Sequence, residues 1–542
     1  MSVSRVIAGD ERRARPRGRL ATALAGAVLL AGCASEPPPP PNVLWVLWDT
    51  VRADRMSLYG YPVETTPFLD RWAEDATVFD DSLSPGTITL ASHGSMFTGL
   101  LPSEHGADNQ RTRLADRHQT LAEILAESGY STFLWSANPH ISEQGGFHQG
   151  FDARLHPWSP GYLERSTQIV RDKLSPSDTS NELPRRYAKN NVRKWDVKAS
   201  GSLAGEALLA WLAERSPAAD SSDLPATPYF AFLNYMEAHR PRIPSEVFRR
   251  RVMPAEDVPR SYEVDRSWPT IWSYSFGLVD FTAEELRVIS GTYDATIAEL
   301  DQLLGELLTR LEDAGHLDNT IVVLTSDHGE HLGEQHLLDH QYSVYEPLVR
   351  VPLVVHLPEH LRDRLAPGRE ARPVMTFDLF PTLLQLAGLS NPLADRSHAV
   401  SLLEPKPSRP RLSEYTAPFK TAFRTVRELH PDWQSAPWES ALRALTHERH
   451  KLIRREADGA SRLFAIDSDP AETTDLGADQ PELRQRLEDL LDRHLGAITP
   501  FQAGAEAEAL PPMSEDQRRR LEALGYLDAS DAPTAAPSED SP

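Results

Sequence analysis

The chain has 542 residues and a formal charge of −23, from 56 lysines and arginines against 79 aspartates and glutamates. That length exceeds one ordinary domain and allows a large core, and that charge argues against a general nucleic-acid binder, whose footprint is basic. An anionic substrate would need a locally positive pocket, which a bound cation can supply. The single cysteine, Cys33, excludes any disulfide within the chain.

The N-terminus carries Arg12, Arg13, Arg15, Arg17 and Arg19, then an apolar segment Leu20–Leu30 and the sequence Leu30-Ala31-Gly32-Cys33. A basic region, an apolar stretch too short to span a bilayer and a small-residue cleavage site follow one another in the order of a secretory signal. The pattern resembles a bacterial lipoprotein signal, which implies cleavage before Cys33, lipidation there, and anchoring on the periplasmic or extracellular face of a bacterial membrane. Residues 1–32 are therefore expected to be a signal peptide, and 33–41, with the Pro37–Pro41 run, an extended tether.

Beyond the tether, apolar runs alternate with amphipathic ones. Val43–Thr50 (VLWVLWDT) reads as a buried strand ending in Asp49. Thr120–Ser128 has helical spacing and stops at Gly129, and Ser131–Ala137 follows as a strand. Gly205–Ser216 is a helix and Tyr229–Asn234 a strand. Thr282–Ala314 is a long helical stretch with a candidate break at Gly291, leading into the strand Thr320–Thr325 and Asp327-His328. Arg350–Leu357 is a further strand and Thr376–Ala387 a helix, with Asp378 as a cap. This alternation predicts a mostly parallel sheet covered by helices on both faces.

Two stretches, His156–Ser200 and Arg240–Asp280, interrupt the rhythm and read as irregular insertions that shape a pocket. The second holds Arg249, Arg250, Arg251, Trp268 and Trp272, which suit anionic or sugar-like groups but also a solvated surface. Near Arg443–Asp467 two short strands flank a turn at Asp458-Gly459, as in a hairpin. The expected organisation is a catalytic domain over 42–395, a small antiparallel α+β subdomain over 396–527, and a disordered tail over 528–542.

In an open α/β sheet, ligands gather beyond the carboxyl ends of the strands, so Asp49 and Asp327-His328 are expected to meet. Like charges that close repel unless a cation lies between them, which points to a metal site. Between the two strands lies Ser84–Gly106 (SPGTITLASHGSMFTGLLPSEHG), where Thr89, Ser92 and Ser95 compete for a helix N-terminus that favours anions and helps a hydroxyl ionise.

This segment resembles the signature of the sulfatase family in the alkaline phosphatase superfamily, C/S-x-P-x-R followed by x-S-L-L-T-G and later P-x-x-H-G. Ser95–Gly99 on S-L-L-T-G puts Thr89 at the nucleophile, Ala91 at the proline and His93 at the arginine, and Pro102–Gly106 matches P-x-x-H-G. Thr325–Leu332, Tyr345–Val355 and Arg462–Leu476 are similar to further family elements, so the likeness runs from about Asn42 to about Leu527. It implies an alkaline phosphatase-like fold and one divalent ion, calcium by family with manganese or zinc as alternatives, held by Asp49, Asp327, His328 and Thr89. It also implies that His93 contacts the nucleophile and the transferring group, that Asn109 contacts the substrate, and that His239 and His340 lie near the leaving group.

The departures bear on chemistry. Sulfatases oxidise a Cys or Ser to formylglycine, which threonine cannot become. A metal-activated Thr89 suits phosphate or phosphonate esters better than sulfate esters. Asp49-Thr50 also stands where many sulfatases have two aspartates. The resulting expectation is a lipid-anchored, metal-dependent hydrolase of an anionic ester of a small molecule, glycan or lipid. A transferase passing a Thr89-bound group to an envelope lipid or glycan, and a binding protein that keeps only the fold, are its rivals.

Overall fold

The structure, a computed structural model, describes residues 39–174, 196–198, 200–215, 227–264, 267–395, 397–404, 408–502 and 513–527. Cys33, the signal segment and the 528–542 tail lie outside the described residues. Among the described residues no helix is long and apolar enough to cross a membrane.

The core is an eight-stranded sheet. In chain order its strands are β1 (Asn42–Trp48), β2 (Thr77–Phe79), β3 (Ser131–Ser136), β4 (Ala153–Leu155), β5 (Tyr229–Tyr235), β6 (Thr320–Thr325), β7 (Leu353–His356) and β8 (Gly368–Glu370). They lie in the order β8-β2-β7-β6-β1-β5-β3-β4. All run the same way except β7, which is antiparallel to both β6 and β2. Every residue of β3, β5 and β6 is buried, as expected of strands covered on both faces. Their side chains alternate between two apolar layers: Leu44, Val46 and Trp48 face one, Val43, Trp45 and Leu47 the other.

The helices that matter for the site are α1 (Thr89–Thr98), α2 (Leu121–Glu127), α3 (Ser200–Arg215), α4 (Ala283–Asp313) and α5 (Leu379–Leu386). Thr120 caps α2 through Glu123, and Thr282 caps α4 through Glu285. The expected break at Gly291 is absent, because α4 runs unbroken for 31 residues. A Cβ at Gly291 would lie 3.0 Å from Met253 Cγ, so the glycine serves a close approach and not a kink.

The Arg240–Asp280 stretch is not irregular as expected; it folds into short helices at Glu246–Val252, Asp257–Arg260 and Trp268–Ser275. Arg249 is fully buried there, donating to the Pro244 carbonyl and the Ser261 hydroxyl, and so is structural instead of solvated. Of the other stretch, Leu163–Lys173 is helical and 175–195 lie outside the described residues. Asp378 caps as expected, accepting from the Met375 and Val400 amides.

Downstream, four antiparallel strands form a second sheet: β9 (Arg411–Tyr415), β10 (Leu442–His447), β11 (His450–Arg455) and β12 (Ser461–Ala465). The Asp458-Gly459 turn joins the last two, with Gly459 at φ +71°. Helix α6 (Pro481–Ala497) covers this sheet through Leu487 and Leu491, and a last helix, α7 (Glu515–Ala523), follows.

Candidate active site

Four neighbouring parallel strands deliver the site. Asp49 follows β1, Asp327 and His328 follow β6, Asn138 follows β3 and His239 follows β5, all just beyond carboxyl ends. Asp49, Asp327 and His328 present ligand atoms within 4.8 Å of one another, and all three are fully buried. Asp327 Oδ1 accepts the Thr50 and His328 amides at 3.1 and 2.9 Å, which fixes the carboxylate. Thr50 sits at φ +62°, a costly conformation for a β-branched residue that places its amide on Asp327.

The remaining atoms decide what the site accepts. Asp49 Oδ1, Asp327 Oδ2 and His328 Nε2 are buried and make no hydrogen bond. His328 Nδ1 lies 2.9 Å from the Gly329 carbonyl, so that nitrogen carries the proton and Nε2 offers a lone pair, as a metal ligand requires. Three unpaired donor atoms of this kind fit one divalent cation.

Thr89 opens α1 and is 2% exposed. Its Oγ lies 3.3 Å from Asn138 Nδ2, which also donates to Asp49 Oδ2 at 3.0 Å. Of the three competing hydroxyls, only this one reaches the carboxylates' neighbourhood: Ser92 bonds Ser84 and Ser95 bonds His105.

The family model described as Sulfatase matches residues 41–389. The chain belongs to the sulfatase family. Arylsulfatase K of Bos taurus is 27% identical over 487 residues, covering 84% of this chain and 81% of its own length. N-acetylglucosamine-6-O-sulfatase of Bacteroides thetaiotaomicron is 27% identical over 412 residues, covering 68% of this chain and 72% of the relative. The crystal structure of phosphonate monoester hydrolase of Agrobacterium radiobacter shares the fold with a TM-score of 0.62 at 22% identity, over 84% of this chain and 96% of that one. The sulfatase family is metal-dependent and its members here are ester hydrolases, which places this chain among enzymes.

The electrostatics of this sulfatase-family site follow from burial. Burial first, then Asp327, push the Asp49 carboxyl up to about 7, against His328 and Asn138. Burial likewise raises Asp327 to about 6 and lowers His328 to about 4. Beside them His340 sits 2.9 Å from Asp339 and 3.4 Å from Glu330. Burial opposes its charge, but those two carboxylates outweigh it and hold the imidazole protonated well above its usual range. Glu330 also pairs with Arg240 and Arg242 at 3.3 and 3.2 Å, so this second acidic cluster is filled by cations of the chain itself.

The remaining expected residues divide. His239 lies 5.2 Å from His340, ring to ring, and burial together with Lys198 keeps it neutral. His93 Nδ1 donates to the Thr89 carbonyl of its own helix at 3.0 Å and lies 3.6 Å from Asp327 Oδ2, beyond hydrogen-bond reach. Its ring packs against Phe97, Phe147 and Phe232 and it is neutral, its pKa lowered by burial to about 3. Asn109 donates to Gln341 Oε1 and to the Ala417 carbonyl.

Asn138, Lys198, Glu330 and Tyr526 were not anticipated as site residues. Asn138 follows a strand and obeys the rule that flags Asp49. Lys198 donates to the Met236 and His239 carbonyls and fixes the loop after β5. Tyr526 lies in the last described segment and carries no local signal.

Proposed function

We propose that this sulfatase-family enzyme hydrolyses an anionic ester by in-line attack of the Thr89 hydroxyl, and that its preferred esters are of the phosphate or phosphonate type. The observation that carries this reading is the shared Asn138 amide, which ties Thr89 Oγ to Asp49 at the head of α1. A cation held by Asp49, Asp327 and His328, with Thr89 completing its shell, would lower the hydroxyl's pKa and neutralise charge on the transferring group. The start of α1 has no side-chain cap, so its first backbone amides would favour negative charge there.

His340, as an imidazolium, is the group suited to protonate the departing oxygen. His239, neutral, is suited to accept. Threonine cannot yield the formylglycine aldehyde, so the ester formed on Thr89 is opened by water. The names of relatives suggest sugar sulfates and phosphonate monoesters as starting probes. We propose further that Cys33 is lipidated and holds the enzyme on the cell envelope.

The test uses mature protein beginning at Cys33, stripped and reloaded with calcium, manganese or zinc, on aryl sulfate, aryl phosphate, phosphodiester and phosphonate monoester. Phospho-ester turnover lost in Thr89→Ala supports the reading. Sulfate release that survives Thr89→Ala refutes it. A labelled Thr89 ester that persists until an alcohol is added would identify a transferase.

A further inference from the structure

Two guanidiniums, which stay charged at any pH a folded protein meets, share the single carboxylate of Glu330. Arg240 Nε lies 3.3 Å from Oε1 and Arg242 Nη2 lies 3.2 Å from Oε2. His340 and Asp339 stand beside them, 2.9 Å apart, and this pair adds no net charge whichever member holds the proton. All five side chains are buried. The group therefore carries one positive charge in excess, and arginine is almost never buried without a partner for its charge.

The excess falls on Arg240. Arg242 donates from Nε to the Ala238 carbonyl at 2.8 Å and lies 4.8 Å over the Tyr293 ring, besides its contact with Glu330. Arg240 is 3% exposed, and its Nη1 and Nη2 are buried and make no hydrogen bond. Those two nitrogens carry four N–H donors in the planar fork that matches the paired oxygens of an oxyanion. Buried donors of this kind are costly unless a partner meets them. Asp49 Oδ1, Asp327 Oδ2 and His328 Nε2 are in the same condition, with the opposite preference.

Its place says which part of a substrate the fork meets. The Arg240 guanidinium and the His340 ring lie on opposite oxygens of Glu330, at 3.3 and 3.4 Å. The His340 ring is in turn 5.2 Å from that of His239 and 4.5 Å from that of His328. The fork thus stands beside the two histidines assigned to the leaving group, one side chain out from the cation ligands.

We propose that Arg240 is a specificity-determining residue that grips a second anionic group, on the alcohol part of the ester. An excess of one charge matches a singly charged oxyanion, a carboxylate or a sulfate ester. The inference rests on the ester site lying at Asp49, Asp327 and His328, and not on Thr89 being the nucleophile.

The test measures binding, by calorimetry on the metal-loaded mature enzyme, of phenylphosphonate and of its ortho, meta and para derivatives bearing a carboxylate or a sulfonate. The same substituents on benzenesulfonate cover a site that prefers sulfo groups. At least one derivative should bind about tenfold or more tighter than its unsubstituted parent, as a charged hydrogen-bonded pair implies. Arg240→Gln should bring that ratio to within about twofold of parity, and Arg240→Lys, which keeps the charge but loses the fork, should leave it in between. The ratio in the unaltered enzyme needs no variant to fold, and a purely structural arginine would not move it. A set in which no derivative binds tighter than its parent, or a preference that survives Arg240→Gln, would overturn the assignment. Turnover surviving in Thr89→Ala would remove the nucleophile and leave the preference standing, whereas a missing preference in an enzyme silenced by Thr89→Ala would remove the Arg240 assignment alone.

Discussion

Stripping the divalent cation should make the protein's stability fall as pH rises, the reverse of what paired carboxylates ordinarily do. In the metal-free protein the Asp49 carboxyl stands at about 7 against its ordinary 3.8, chiefly through burial and then Asp327. Between those values the unfolded chain has released the proton and the folded chain still holds it. Unfolding stability therefore declines across that window, being fully present below the lower value and lost as pH passes the upper one. At roughly 1.4 kcal/mol per pH unit the gap corresponds to about 4 kcal/mol for Asp49 alone. Asp327, raised to about 6 by the same burial, titrates with it as a pair, so the two contributions do not simply add.

A bound cation cancels the cause, because both carboxylates then ionise against it. The assay is denaturant unfolding at pH 5 and pH 8, with chelator and with saturating metal. Metal should stabilise strongly at pH 8 and little at pH 5, where protons already neutralise the pair. Asp49→Asn should flatten the metal-free slope and abolish most of the metal increment. A stripped protein whose stability is flat or rising over this range, or a metal increment equal at both pH values, would refute the account of these carboxylates.

Three further outcomes are expected. His340→Gln removes the imidazolium while leaving Arg240 and Arg242 on Glu330, so turnover of alkyl esters should fall by about 100-fold or more but that of nitrophenyl esters far less, read as kcat/KM against leaving-group acidity. Gly525→Ala combines a positive φ with a 2.4 Å approach to Trp268, so it should cost roughly 1–3 kcal/mol in denaturant unfolding and loosen the segment that carries Tyr526. Lys451 is fully buried between Glu346 and Glu472 at 3.0 and 3.1 Å, so Lys451→Met should cost roughly 3–5 kcal/mol in denaturant unfolding by stranding two carboxylates.

What local pattern could reveal here was whatever a strand's end controls. Apolar runs bounded by polar residues marked β1 and β6, and the position of a ligand beyond a parallel strand brought Asp49 and Asp327-His328 together before any contact was known. The same rule applied to Ser131–Ala137 would have reached Asn138, one residue further on. Arg249 was legible only as part of a charge run, because its burial depends on the Pro244 carbonyl and the Ser261 hydroxyl, and period and composition do not report such partners. Gly291 suggested a break by propensity, but the cost of one glycine is about 1 kcal/mol and the packing of a 31-residue helix against Met253 exceeds it.

Tyr526 marks the deeper limit. Nothing in Leu524-Gly525-Tyr526 distinguishes it from any short helix end, and its partners Asn138 and His239 are 388 and 287 residues away. Its place is set by a glycine that fits under Trp268 and by Leu524 entering a small apolar cluster, both of them consequences of the fold and not of sequence near the tyrosine. The metal ligands and Thr89 stand on strand ends and a helix start that central packing makes rigid. Tyr526, whose hydroxyl lies 2.9 Å from His239 Nε2, instead arrives from the far end of the chain, so truncation of the last helix should leave a folded, metal-binding protein in which His239 has lost that partner.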